Sequence, residues 1–431
     1  MTRQPAPVRP PVVLTIAGSD AGGGAGIQAD LKTIEAGGAF GTSAITSVTA
    51  QNTRGVESTH LLPREEIEAQ IEAVRGDFDV AAVKTGMLAT TGVVDLVAER
   101  APDLPNLVVD PVMVAASGDR LLEPEAEAAY EDLIAEARLV TPNADEAEVL
   151  TGIEVTEPEA AREAGERLVE AGAEAALVKG GHVSGDDVVD ALVSGDAVRT
   201  FRHDRVDTDA THGSGCTLSS AIAARLARGD ALEAAVGAGI DLLSRAVRYN
   251  LDVGEGPGAV HHAVALRNDA ARAGTAAAVE SVATALAEAD AGTLTPSSGP
   301  TVVGATPHAE TPADVAAVEG DSGAAELRAD RGVRFGTAGD PAERLLAARE
   351  ADPSLRFAVD CRRSDALRSA VDGPVATAEA GADVGVQRAV AAVDGTPAAV
   401  EVTDADLLTL VAADADRLAH RVQALSAALS A

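Results

Sequence analysis

A chain of 431 residues, 46% of them apolar, is long enough for two or three domains with real cores, and wholesale disorder is excluded. Aromatic residues make up only 2%, so those cores must rest on Ala, Val, Leu and Ile. The formal charge of −34, from 68 acidic against 34 basic residues spread along the chain, speaks against duplex nucleic acid as a partner.

Lysine is almost absent. Only Lys32, Lys84 and Lys179 occur, which makes each a candidate for a specific role. An acidic, lysine-poor surface is what a cytoplasm at very high salt favours, because the Debye length there falls to about 3 Å and like-charge repulsion is screened. Two cysteines, Cys216 and Cys361, make neither a disulfide framework nor a metal site. There is no apolar leader and no run of about 18 apolar residues, so a cytoplasmic protein without membrane association is expected.

From residue 12 onward, short β-rich runs alternate with amphipathic stretches. Strands are predicted over 12–17, 44–49, 80–84, 107–110, 139–141, 175–179 and 188–193. Helices are predicted over 26–36, 65–74, 93–100, 123–137, 157–171, 215–227 and 231–249. This alternation points to an α/β domain with a doubly wound, mostly parallel sheet, which binds ligands beyond the carboxyl ends of its strands. The first domain, 1–268, has its last structured residues near Val264. A helical linker covers 269–300, with a helix over about 275–291 and a Thr-Pro-Ser-Ser-Gly-Pro joint at its end. A second, smaller α/β domain follows over 301–431. Its strands are expected at 301–304 and 355–359, and its helices at 341–349, 364–371 and 405–431.

The motifs gather at predicted strand ends. Thr211-His212-Gly213-Ser214-Gly215-Cys216 is a glycine turn opening into a helix, so free backbone N–H groups and the helix dipole form a seat for phosphate. Cys216 lies in the first turn, where that field is expected to lower its thiol pKa. A tight loop with a small buried cysteine is the plainer alternative. Gly22-Gly23-Gly24-Ala25-Gly26 opens the first helix but lacks dinucleotide-fingerprint spacing, and no P-loop is present. Asn143 and Glu146 follow a strand one turn apart; a hydrated Mg²⁺ site and an ordinary capping box are comparable readings there. Asp110 ends a strand as a further metal candidate, and Lys179 ends another before Gly180 and Gly181.

Taken together, these stretches resemble one family. Ala17-Gly18-Ser19-Asp20, Gly23 through Lys32, Thr49-Ala50-Gln51-Asn52-Thr53, Lys84-Thr85-Gly86-Met87 and Asp110 through Val114 carry the resemblance. Thr141-Pro142-Asn143, Lys179-Gly180-Gly181-His182 and His212 through Thr217 continue it in order. The family is the hydroxymethylpyrimidine/phosphomethylpyrimidine kinases of thiamine biosynthesis, in the ribokinase-like superfamily. The resemblance implies phosphorylation of 4-amino-5-hydroxymethyl-2-methylpyrimidine by Mg²⁺ and ATP, then of its monophosphate. It implies Gly18, Asp30, Gln51, Met87 and Val114 at the pyrimidine, and Gly213, Ser214, Gly215 and Cys216 at the transferring phosphoryl. Lys179 would meet ATP phosphates, Asn143, Glu146 and Asp110 would serve Mg²⁺ through water, and a homo-oligomer is expected. Ala116 stands where the family usually has lysine. Pyridoxal kinase of the same superfamily is the alternative.

Beyond residue 279, Ala313 through Gly320, Arg334-Phe335-Gly336-Thr337 and Asp352 through Arg356 resemble the archaeal-type thiamine-phosphate synthase domain. Asp321-Ser322 and Asp340-Pro341-Ala342-Glu343 replace the arginine and the His-x-Ala-Arg type motif of active members. The resemblance therefore implies a degenerate domain, with a thiamine-pathway ligand sensor as an alternative to catalysis.

Overall fold

The computed structural model describes residues 7–113, 128–181, 183, 185–195, 197–289, 294, 296, 301–319, 332–379, 383–403, 405 and 407–430. Val114, Ala116, Ser117, Gly118, Asp119, His182, Gly320, Asp321 and Ser322 lie outside the described residues, as do 123–127 of one expected helix and most of the 295–300 joint. The chain divides into two compact units, Met1–Val264 and Ala265–Ala431.

The first unit runs β1 (Val12–Asp20), α1 (Gly26–Ala36), β2 (Phe40–Asn52), β3 (Gly55–Leu61), α2 (Arg64–Asp77), β4 (Val80–Thr85), α3 (Thr91–Arg100) and β5 (Leu107–Val109). It continues α4 (Tyr130–Ala135), β6 (Leu139–Val140), α5 (Ala144–Thr151), α6 (Pro158–Glu170), β7 (Ala175–Val178), β8 (Asp187–Ser194), β9 (Ala197–Asp204), α7 (Ser214–Ala227) and α8 (Leu232–Arg248). The nine strands form one sheet in the order β3-β2-β1-β4-β5-β6-β7-β8-β9. β2 through β7 pair in parallel, and antiparallel hairpins close both edges. Strand order reverses at β1, which has β2 on one side and β4 on the other, the switch point where such sheets open a crevice.

β1 is buried on both faces, as a central parallel strand must be. Val13 packs with Ile34, Leu218 and Ile222, whereas Leu14 and Ile16 pack with Val83, Val94 and Leu96 on the opposite face. From Gly215 to Ala224, α7 is made of small residues apart from Leu218 and Ile222, and it is buried nearly all round beyond its first turn. That lets its backbone run close to the sheet and delivers its N-terminus to the strand ends. The edge strands β3 and β9 were not predicted. Their residues are mostly polar and exposed, so the burial that marks an inner strand is missing.

The second unit has α9 (Val264–Ala270), α10 (Arg272–Glu288), β10 (Thr301–Ala305), β11 (Val315–Glu319), β12 (Arg334–Phe335), α11 (Asp340–Ala351) and β13 (Phe357–Arg362). Then come α12 (Asp365–Ala370), β14 (Val375–Ala378), α13 (Asp383–Ala391), β15 (Ala399–Val402), β16 (Leu407–Ala412) and α14 (Ala415–Ser430). Its sheet, β12-β11-β10-β13-β16-β15-β14, is antiparallel except for the β14–β15 pair. The helix expected over 405–431 is corrected here. Leu407–Ala412 is a strand, because this short apolar run is buried along its length and bonds to β13 and β15 at once. No helix among the described residues is long and apolar enough to cross a membrane.

Candidate active site

The Gly213 to Cys216 turn forms as expected. Gly213 caps α7 at φ +83°, a left-handed conformation that favours glycine. A Cβ there would stand 1.8 Å from the Gly24 carbonyl oxygen, so the two glycine loops lie in direct contact. In the first turn of α7, the Ser214 amide donates to Thr211 and that of Thr217 donates to Gly213. The Gly215 and Cys216 amides lie between them, where a helix offers no carbonyl four residues back.

Lys179 and Asp110 lie beside Gly215. A Cβ on Gly215 would meet Lys179 Nζ at 3.3 Å and Asp110 Oδ2 at 3.5 Å. Lys179 Nζ donates to Asp110 Oδ1 at 3.2 Å and lies 3.9 Å from Glu146 Oε2. Burial works against the ammonium charge, but Asp110 and Glu146 outweigh it and hold Lys179 above the ordinary lysine range. Asp110 is fixed beneath by Thr141 at 3.2 Å and Ser219 at 3.3 Å. Burial pushes Glu146 up to about 7, with the Asp110 charge adding to the rise while Lys179 and the Asn143 amide oppose it.

The capping box is formed: Asn143 accepts from the Glu146 amide, and Glu146 accepts from the Asn143 amide, each at 2.8 Å. Among the described residues there is no cluster of three or more possible metal ligands. The Asp110 oxygens and Glu146 Oε2 already accept protein hydrogen bonds. This pair therefore fits a hydrated Mg²⁺ that keeps its waters better than a directly ligated ion.

Cys216 departs from expectation. Burial pushes its thiol up to about 11. Lys84 and the Gly26 amide pull it down, and Asp30 and Asp110 add to the rise. The helix terminus does not outweigh desolvation here, so the low-pKa thiolate is corrected to a protonated thiol.

Of the residues expected at the pyrimidine, Gly18 and Met87 come together: a Cβ on Gly18 would meet Met87 Cε at 2.4 Å and Ser47 Oγ at 2.8 Å. Gln51 lies at the end of β2, its Oε1 3.1 Å from Thr49 Oγ1 and its Nε2 3.4 Å from His212 Nε2. Asp30 is corrected. It is wholly buried, and its oxygens accept from Lys84 at 2.9 and 3.0 Å, Thr15 at 2.6 Å and Ser220 at 2.8 Å. A side chain so enclosed and satisfied supports the site from below and is not exposed to a ligand. Asp20, Lys84 and His212 lie within the motifs, but no role was expected of Asp20 or His212, and lysine scarcity was the signal for Lys84. All three lysines serve this end of the sheet, since Lys32 Nζ donates to the Gly23 carbonyl at 2.6 Å.

Residues 20–261 match the family model described as phosphomethylpyrimidine kinase, and 278–384 match that of thiamine-phosphate synthase ThiN. A hydroxymethylpyrimidine/phosphomethylpyrimidine kinase of Rhizobium meliloti is 48% identical over 257 residues, covering 58% of this chain and 96% of that protein. The thiamine biosynthesis bifunctional protein ThiED of Geobacter sulfurreducens is 44% identical over 256 residues, covering 59% of this chain and 52% of that protein. Among solved structures, the ADP complex of Bacillus subtilis pyridoxal kinase matches with TM-score 0.56 and 32% identity, over 60% of this chain and 99% of that one. Phosphomethylpyrimidine kinase of Clostridium difficile 630 matches with TM-score 0.50 and 41% identity, over 55% of this chain and 99% of that one. These neighbours have the ribokinase-like fold, and this chain shares it.

Proposed function

The chain belongs to the phosphomethylpyrimidine kinase family, and from that premise we propose that its first unit transfers phosphoryl groups from ATP to 4-amino-5-hydroxymethyl-2-methylpyrimidine and then to its monophosphate. The carrying observation is the approach of Lys179, held by Asp110, to Gly215 in the first turn of α7, the turn whose leading amides lack a helical carbonyl partner. Such a set neutralises charge on a phosphoryl in flight, which is most of what this chemistry asks of a protein. The alcohol oxygen forms a bond to the γ-phosphorus as the bond from that phosphorus to the β–γ bridging oxygen breaks; ADP leaves, and the alcohol proton passes to solvent water. Asp110 and Glu146 would hold Mg²⁺ through its waters, and the ion would supply charge neutralisation at the phosphates.

With the thiol of Cys216 protonated, its amide is the part of that residue that meets the phosphoryl. Gly18, Met87 and Gln51 would line the pyrimidine. We read the acidic, lysine-poor surface as suited to a high-salt cytoplasm, and a homo-oligomer as the assembly. ATP turnover in molar KCl with the pyrimidine alcohol, its monophosphate and pyridoxal in parallel tests this. Turnover of both pyrimidines is expected, and turnover of pyridoxal alone would overturn it. Pyridoxal kinase is the second reading because solved pyridoxal kinases match the same region.

For the second unit, a cavity of about 600 Å³ lies at the start of α11, lined among others by Asp340, Arg344, Asp360 and Arg362. Arg344 is paired to Asp360, whose other oxygen accepts from Thr409 at 2.7 Å. With its acids in place, this site would bind a thiamine-pathway ligand without efficient synthesis. Full-length protein given pyrimidine diphosphate and thiazole phosphate is expected to make no thiamine phosphate; product formation would reverse that assignment.

A further inference from the structure

Asp20 ends β1, and its carboxylate accepts from the Gly22 amide at 2.8 Å, the Gly24 amide at 2.9 Å and the Ala25 amide at 2.7 Å. His212 Nε2 lies 3.1 Å from the same carboxylate. Burial works against ionisation of Asp20, yet the bonds from His212, Ala25 and Gly22 outweigh it and hold the carboxyl below its usual range. An ionised carboxylate only accepts, so Nε2 of His212 carries the proton and donates. The pair thus ties the glycine loop after β1 to the residue directly before Gly213. The contact has no slack: a Cβ on Gly24 would stand 2.5 Å from His212 Cδ2. The same Nε2 lies 3.4 Å from Gln51 Nε2, where two N–H donors make no hydrogen bond and only pack, while Thr49, 3.1 Å from Gln51 Oε1, donates to the Ser19 carbonyl at 2.8 Å.

We propose that Asp20 and His212 form a positioning pair that sets the spacing between the α7 amides and the pyrimidine side of the pocket, and so aligns the alcohol with the phosphoryl. This rests on the kinase reading above. Asp20 holds the amides of Gly22, Gly24 and Ala25, and His212 directly precedes Gly213, so both act through the two glycine loops. A misplacement of about 1 Å at such a site lowers turnover about 100-fold. Because the two residues act as one unit, their effects should not add.

The test measures kcat and both KM values of full-length protein in molar KCl with ATP and the pyrimidine alcohol, alongside thermal unfolding. Asp20→Asn and His212→Leu are each expected to lower kcat about 30- to 100-fold while leaving the KM for ATP within about threefold. His212→Gln keeps an N–H for Asp20 and should recover most of the loss. The double variant Asp20→Asn/His212→Leu should be no more than about twofold worse than the poorer single variant. Losses that multiply in the double variant, an unchanged kcat, or a kcat that falls only with the folded fraction would overturn the pair. Absence of turnover by the wild-type chain would instead overturn the kinase reading.

Discussion

Lys84 is wholly buried, its Nζ within 3.0 Å of both oxygens of Asp30, and its charge is opposed by burial and upheld chiefly by that carboxylate. Removing one member of such a pair strands the other in a medium that solvates it poorly, a loss of about 3–5 kcal/mol, whereas replacing both is often neutral. Lys84→Met is therefore expected to lower stability by about that amount in urea unfolding at high salt, with Asp30→Asn/Lys84→Met recovering most of it. A double variant as unstable as the single would show that packing, not charge, holds this site. Cys216 gives the matching pH experiment. With its thiol pushed up to about 11, the reactive thiolate grows tenfold per pH unit throughout the neutral range. Iodoacetamide labelling of Cys216 should climb from pH 7 to 10 without levelling, and a plateau below pH 8 would mark a thiolate that the helix terminus does stabilise.

The N-terminus of α7 works only if the loop before it can press against the loop before α1. Gly213→Ala forces a left-handed φ on a side chain and places its Cβ on the Gly24 carbonyl, so one loop must retreat. Turnover is expected to fall at least about 100-fold, with fluorescence-monitored ATP binding weakened less; near-normal turnover would mean that the loop contact is dispensable. This element was legible in the sequence because Gly-Ser-Gly before the helix did not stand alone but with the glycine cluster after the first strand. Inner strands such as β1, β4 and β7 were legible as short, mostly apolar runs. The edge strands β3 and β9 were not, since their exposed faces look like loop. Leu407–Ala412 was hidden by periodic residues that follow it in α14. Asp30 shows the limit for the site: its motif placed it correctly in the chain, but only the enclosing Thr15, Lys84 and Ser220 reveal that it faces inward.

Across the whole molecule, 68 acids stand against 34 basic residues, and the three lysines each bond within the first unit, to Gly23, Asp30 and Asp110. The remaining cations are arginines, and many of their ion pairs are exposed, such as Arg64 with Glu99 and Arg167 with Glu170, where each contributes little. The net charge of −34 therefore opposes compactness unless salt screens it. Raising KCl from about 0.1 M to about 2 M shortens the Debye length from about 10 Å to roughly 2–3 Å, below the spacing of most surface acids. If screening is worth about 3 kcal/mol to a unit of this size, the melting temperature should rise by roughly 6–12 °C. Two mechanisms could raise it, and they differ in form. Charge screening acts mostly below about 1 M and levels off, whereas exclusion of salt from the surface keeps growing and is stronger for sulfate than for chloride. A steep early rise in KCl that then flattens is expected. A melting temperature indifferent to KCl, or one that responds to sulfate alone, would separate the acidic surface from any role in stability.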